Sequence, residues 1–322
     1  MLYKGKIATD NPNSYRGIAL ENNAFKLLTT ILTKRITEMA DAQIPQQQFG
    51  FRRGRSCLQA VECLLTDIHD ALRMPKQEYY TIFIDYTKAF DSVSRLILSQ
   101  KLMKIAGLDE HTMILVHNIL AQNIIKVNDT VTISEGITQT RGILQGDPLS
   151  PLLFNIATAD VTQVCPPTTS FFIYADDMAL GPTKKEDVQE TFNRIVNWAN
   201  ENQLQINRDK TVQMTFRRGG RKTDNDTLYY KNEPLKVTNA FKYLRITLQT
   251  TTKSFRINVK ERPTSAIKAI FDIKNIRQLN LDTATRLFEA KIVPTLTYGI
   301  DIIWTYLSLR DLRTMENVKA RF

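Results

Sequence analysis

Three carboxylates stand where the chain is otherwise apolar. Asp176 and Asp177 lie within Phe171-Phe172-Ile173-Tyr174-Ala175-Asp176-Asp177-Met178-Ala179-Leu180, and Asp85 ends Tyr79-Tyr80-Thr81-Ile82-Phe83-Ile84-Asp85. Asp in a turn is ordinary, because its side chain bonds nearby backbone and tolerates unusual φ, so the first stretch alone reads as a hairpin and nothing more. A second strand ending in a carboxylate changes the reading. Carboxylates crowded together repel and need a cation, and hard divalent cations take oxygen ligands. Two such ions about 3.5 to 4 Å apart clamp the attacking and leaving oxygens of a phosphoryl transfer.

The elements that must hold these groups are strands. Short apolar runs rich in aromatic and β-branched residues read as buried strands, and Ala-Asp-Asp between two of them reads as a tight turn. Rigid strand ends position ligands more accurately than loops do.

Two further stretches accompany the carboxylates: Asp85-Tyr86-Thr87-Lys88-Ala89-Phe90-Asp91-Ser92-Val93 and Gly142-Ile143-Leu144-Gln145-Gly146-Asp147-Pro148-Leu149-Ser150-Pro151-Leu152-Leu153-Phe154. With Tyr174-Ala175-Asp176-Asp177, in this order and spacing, the chain resembles a reverse transcriptase of the non-LTR (LINE-type) retrotransposon family from about Asn13 to about residue 250. The resemblance implies an α+β right-hand polymerase fold. It places fingers at 1–80, a palm with an antiparallel sheet at 81–250 with residual fingers elements between 92 and 140, and a truncated helical thumb at 251–322.

It also implies the roles. Asp85 and Asp176 would bind two Mg2+ ions, with Mn2+ a possible substitute, and Asp177 would be secondary. Phe90 would pack against the sugar of the incoming nucleotide and exclude a 2′-hydroxyl; without the resemblance it reads as core. Gln145 and Gly146 would border the incoming nucleotide and template base. Lys210, in Asn207-Arg208-Asp209-Lys210-Thr211, would lie near the departing pyrophosphate as a general acid, against an exposed loop lysine as the alternative. Tyr243, Leu244 and Arg245 would form the primer grip, with Arg245 standing where the family usually has Gly. The implied partners are an RNA template, a DNA primer and deoxynucleoside triphosphates, with an endonuclease domain expected outside this chain and residence in nucleus and cytoplasm. A decayed or co-opted RNA-binding fragment, or an RNA-dependent RNA polymerase, are the rival readings.

Composition agrees with a polyanion-binding globular protein. The 322 residues carry 43 Lys+Arg against 33 Asp+Glu, net +10, unevenly spread: 81–180 has 6 basic against 10 acidic residues, and 181–322 has 26 against 15. An acidic middle between basic flanks suits a polyanion gripped around a metal centre. The apolar stretch from Ile292 to Leu309 is broken by Pro294, Gly299 and Asp301, so no membrane span is expected. Cys57, Cys63 and Cys165 form no C-x-x-C pair and read as buried thiols.

Along the chain, Lys4 and Lys6 precede the turn signal Asn11-Pro12-Asn13-Ser14. Leu20, Ala24, Leu27, Leu28, Ile31, Leu32 and Ile36 then recur at helical spacing, and their face is expected to be core. Arg52, Arg53 and Arg55 sit on a glycine-containing loop just before a helix capped by Ser56; such a loop suits phosphate oxygens, though exposed loop arginines are usually just solvated. The family resemblance implies a triphosphate or template contact here, with Arg52 favoured over Arg55. A helix is expected from Ser92, capped by Asp91, to Ala106 before Gly107, and another from about Asp109 to Ala121. A hairpin follows around Asn128-Asp129, and then a helix started by Pro148. Past the acidic turn come a helix through Val188 and Ala199, a half-buried strand at Val212, Met214 and Phe216, and a basic loop Arg217 to Lys222. Short strands follow near 228–231 and 235–237. From about Ser254 the chain reads as helical in part; this is where the resemblance places the thumb, to which Lys260, Arg262, Lys268, Lys274 and Arg277 would give a basic face for the duplex backbone.

Overall fold

The computed structural model describes residues 2–3, 11, 14–121, 123–128, 132–218, 226–250, 255–273 and 278–321. Lys4, Lys6, Pro12, Asn13, Asp129, Val131, Gly219 to Lys222, Ser254, Lys274, Ile276 and Arg277 lie outside the described residues.

The chain builds a five-stranded sheet flanked by helices. The helix α1 (Asn23–Ala40) begins at Asn22, whose side chain accepts the Phe25 N–H at 2.7 Å. The helix α2 (Cys57–Ala71) begins with the expected Ser56 cap, completed into a capping box by Gln59. The strands are β1 (Tyr79–Ile84), β2 (Ser170–Tyr174), β3 (Asp177–Gly181), β4 (Val212–Phe216) and β5 (Lys236–Val237), in spatial order β5-β4-β1-β3-β2. All neighbours are antiparallel except β5 and β4, so the sheet is mixed rather than wholly antiparallel.

Alternation along β1 divides it between two cores. Tyr80, Ile82 and Ile84 face one apolar cluster with the helices Arg95–Lys104, Ser150–Ala157 and Lys185–Glu201, whereas Tyr79 and Phe83 face another with α2 and the hairpin Ala240–Tyr243/Ile246–Gln249. With both faces covered, all six residues are buried. Covering also explains why β4 is not half-buried as its alternation suggests. Gln213 and Thr215 are enclosed too, with Gln213 Oε1 accepting the Leu228 N–H at 2.8 Å.

Several local expectations are corrected. In α1 the core stripe is Thr29, Leu32, Ile36 and Ala40, while Leu27, Leu28 and Ile31, and Leu20 ahead of the helix, are exposed, because the helix Ser150–Ala157 on which α1 packs covers only part of the apolar stripe. The helix after Asp85 is two pieces, Ala89–Ser92 and Arg95–Lys104, and Asp91 lies inside the first rather than capping it. Pro151, not Pro148, occupies the first turn of Ser150–Ala157. The hairpin before Gly142 shrinks to Ile124–Ile125 with Ile137–Thr138 and an isolated bridge between Asn128 and Ile133. Cys63 is exposed rather than buried. Among the described residues no helix is long and apolar enough to cross a membrane.

Candidate active site

Register brings the carboxylates together. Ile84 pairs with Met178 across β1 and β3, which sets Asp85 beside Asp177, and Tyr174 pairs with Asp177 across the hairpin, leaving Ala175-Asp176 as a two-residue turn. Strand alternation gives Asp85 and Asp177 the same side of the sheet as Phe83 and Ala179, the side on which the Tyr243–Ile246 turn packs. Burial, and then the Asp85 charge, raises the Asp176 carboxyl above the ordinary range. Asp177 is pushed up to about 6 by lost hydration, then by Asp176 and Asp85. Asp177 itself is exposed at the strand end.

The segment Asn207–Thr211 hangs on the backbone of Asp85. The Asn207 N–H donates to the Asp85 carbonyl at 2.8 Å, and the Asp85 N–H donates to Thr211 Oγ1 at 3.3 Å. This places Lys210 Nζ 3.3 Å from Asp85 Oδ2. The approach makes an ion pair without hydrogen-bond alignment, so that oxygen is buried with no hydrogen-bond partner. Lys210 and Arg16, a residue the motifs did not single out, are the cations that oppose the raised titration of Asp176.

Among the described residues no three His, Cys, Asp or Glu side chains already converge at ligating spacing. The donor set nevertheless fits hard divalent cations. All three groups are carboxylates on adjoining strand ends, and one buried oxygen has no hydrogen bond to lose.

The acidic turn is strained and braced. Ala175 adopts φ 56°, which costs an L-residue roughly 1–2 kcal/mol. Its N–H is held at 3.0 Å by Gln48 Oε1, which also accepts the Gly50 N–H at 2.8 Å. The segment 47–49 extends the sheet edge, with Phe49 N–H donating to Ile173 O at 2.7 Å and Ile173 N–H to Gln47 O at 2.9 Å. Asn155 donates to the Gly50 carbonyl at 2.8 Å. Gln48, Gly50 and Asn155 were missed in the sequence; the available signal was a glutamine and a glycine flanking Phe49 ahead of the arginine loop.

Of the arginine loop, Arg52 is not free for a phosphate. Its side chain is 7% exposed, forks onto Asp41 at 2.9 and 3.1 Å, and donates to the carbonyls of Asp41 and Pro45. Arg55 lies over the Phe49 ring and donates to Gln46, while Arg53 is exposed.

Phe90 is half-buried and does two things. It stacks on Phe154 at 4.7 Å, as core would, and meets exposed Phe51 edge-on at 6.4 Å, while Phe51 also meets Tyr174 beside the acidic turn. The Gly142–Asp147 loop is tied to the same short helix, Gly142 N–H to Val93 O at 2.9 Å and Ile143 N–H to Phe90 O at 3.0 Å. Gly142 has φ 81° and no room for a Cβ, which would lie 2.6 Å from Asp91 O. Gln145 donates to Asp91 Oδ1 at 3.1 Å, and its carbonyl accepts the Ala19 N–H at 2.8 Å beside Gly146.

Tyr243 pairs with Ile246, so Leu244-Arg245 is the turn. Both residues have positive φ, 45° and 66°, the pattern of a type I′ hairpin that favours Asn-Gly. The Tyr243 and Phe241 rings lie against Phe83 at 5.2 and 4.6 Å, and Tyr243 OH donates to Phe172 O at 3.4 Å. Arg245→Gly is expected to stabilise the fold by about 1 kcal/mol by relieving the left-handed backbone. Urea unfolding measures it, and an unchanged or lower midpoint would contradict it.

A mixed, mostly antiparallel sheet with carboxylates at adjoining strand ends defines a right-hand polymerase fold. Residues 4–248 match the family model for reverse transcriptase (RNA-dependent DNA polymerase), and the chain belongs to that family. Relatives include a probable RNA-directed DNA polymerase from transposon BS of Drosophila melanogaster, 26% identical over 67% of this chain and 25% of its own length. Another is the RNA-directed DNA polymerase from mobile element jockey of Drosophila funebris, 26% identical over 90% of this chain and 33% of its own. The Pol polyprotein of the R2 element of Popillia japonica is 32% identical over 45% and 20%. The chain thus spans a third or less of these relatives. Among solved structures, apo telomerase from Candida tropicalis has the same fold, with a TM-score of 0.51 at 12% identity over 92% of this chain and 50% of that one.

Proposed function

We propose that the chain is the polymerase core of a non-LTR retrotransposon protein, adding deoxyribonucleotides to a primer 3′-hydroxyl along an RNA template. The observation that carries this reading is the register that sets Asp85 beside Asp177 with Asp176 at the adjoining turn. Asp85 and Asp176 would be the principal ligands for two Mg2+ ions, with Asp177 assisting. Bound there, the metal ions would favour the ionised 3′-hydroxyl and offset charge on the leaving pyrophosphate. Lys210 supplies a cation, and in its ammonium form a proton, at the leaving group, where negative charge develops. Leu244-Arg245 positions the primer end, and the Gln145-Gly146 loop borders the nucleotide. In this reading 1–80 serve as fingers, 81–250 as palm and the rest as the start of a thumb. Template and duplex are gripped through phosphates by the basic flanks, independently of sequence.

Primer extension on homopolymer RNA tests this. Template-dependent incorporation of labelled deoxynucleotide with Mg2+ or Mn2+, abolished by chelator, is expected; no incorporation under any divalent ion overturns it.

Phe90 carries sugar selection in this reading. Phe90→Val is expected to raise ribonucleotide use at least about tenfold while deoxynucleotide addition survives, at a stability cost of about 1–2 kcal/mol from the lost stack on Phe154. Competition between the two nucleotide classes measures it. Unchanged discrimination with an earlier melt would leave Phe90 a core residue alone.

A further inference from the structure

The Leu244-Arg245 turn is held from outside its own hairpin. Tyr298, half-buried at the end of the helix Val293–Thr297, donates its hydroxyl to the Leu244 carbonyl at 3.1 Å. Arg262, in the helix Arg256–Phe271, donates to the Arg245 carbonyl and stacks over the Tyr298 ring, 4.9 Å from its centroid. Each carbonyl of the strained turn thus has a side-chain donor, and the two donors brace each other. Cys57 Sγ, at the first residue of α2, lies 2.9 Å from Tyr298 Oη. With the phenol donating to Leu244, the thiol is left to donate to the phenol oxygen.

The approach has no slack. Gly299, next in the chain, has φ 75°, and a Cβ there would stand 2.2 Å from Cδ1 of buried Ile246, the residue that closes the turn. Further along, Tyr306 OH contacts His69 Nε2 at 2.9 Å and its ring meets Phe255. The segment after residue 297 is therefore seated both on the turn and along α2.

We infer that Tyr298 and Arg262 are positioning residues that clamp the Leu244-Arg245 turn against the first turn of α2, so that the primer end and the arginine loop ahead of α2 keep a fixed relation. The inference rests on the reading of this turn as the primer grip. A turn of two L-residues at positive φ would relax if its carbonyls lost their donors, and misplacement of a reacting end by about 1 Å costs on the order of 10²-fold in rate without a matching loss of binding.

The test compares the full chain with Tyr298→Phe, Arg262→Met and Arg262→Lys by amide hydrogen exchange, thermal melting and single-turnover primer extension. In Tyr298→Phe the amides of 244–247 are expected to exchange about tenfold faster while those of β1 stay unchanged. The addition rate is expected to fall about tenfold with primer–template affinity within about twofold. Arg262→Met follows the same direction, and Arg262→Lys restores part of the rate, since an ammonium can still donate to the Arg245 carbonyl. Unchanged exchange at the turn overturns the clamp whether or not any primer is extended. Faster exchange with an unchanged rate in an active chain overturns the positioning role, as does uniform loosening that includes β1. A wild-type chain that extends no primer overturns the polymerase reading instead, and the exchange data then decide the clamp alone.

Discussion

Asp176→Asn is expected to lower primer extension by at least about 10³-fold, on the order of 4 kcal/mol of transition-state stabilisation, while RNA binding stays within about twofold. The asymmetry follows from where the charge sits. Asp176 occupies the second position of a two-residue turn, its carboxyl already raised by burial and by Asp85, so the apo protein gains nothing from its negative charge. An amide of the same shape removes that repulsion and leaves the turn braced by Gln48 through Ala175 N–H. The melt should accordingly hold or rise. What is lost is an anionic oxygen ligand, which an amide replaces poorly for a hard divalent cation. Single-turnover extension, filter binding of RNA and thermal melting measure the three parts. Retained extension would remove Asp176 from the metal site, and a collapse of all three would make it structural.

Gly50→Ala is expected to have the next largest effect, and it is a purely steric one. A Cβ at Gly50 would lie 2.5 Å from Ala175 N and 3.1 Å from both Gln48 Oε1 and Tyr174 C. Two of these three atoms are backbone of the acidic turn, so relief requires either the loop 48–50 or the turn itself to move. Overpacking of this kind costs about 1–3 kcal/mol. Because the displaced backbone carries Asp176, extension should fall about 10²-fold, well beyond what the stability loss alone would produce. Gly54→Ala is the control. Its site is open, so only the left-handed backbone at φ 72° is strained, at about 1 kcal/mol, with no contact to the turn from the added Cβ. Equal effects of the two substitutions on extension would show that the contact between Gly50 and Ala175 does not set the geometry of the carboxylates.

Much of the site was legible because short-range patterns specify it. Continuous apolar runs over Tyr79–Ile84 and Phe171–Tyr174 could only be buried strands, and a carboxylate at the end of each is visible without any contact map. The Ser56 cap and the helix carrying Val188 and Ala199 are equally local, since capping and 3.6-residue spacing are properties of the chain itself. Asp85, Asp176, Asp177 and the Asn207–Thr211 segment were all within reach of such reasoning, as was the turn at Leu244-Arg245.

Tertiary structure decided what those groups touch. Arg52 and Arg55 are of one type on one loop, yet Arg52 is buried against Asp41 and Arg55 is not, a difference set by the return of the chain end of α1 beside that loop. The face of α1 that is core depends on how much of it the helix Ser150–Ala157 covers, not on its own apolar count. Phe90 is both a stacked core ring and a partly open one, because Phe154 arrives from a helix some 60 residues on. Gln48 and Tyr298 carry no local signal of their role. Each acts on a strained turn distant in sequence, through hydrogen bonds that exist only after the sheet edge and the C-terminal helices have packed. Sequence by itself determined which residues could bind metal and where the strands end; the pairing register, the bracing of both turns and the burial of each charge came from long-range packing, which local periodicity does not encode.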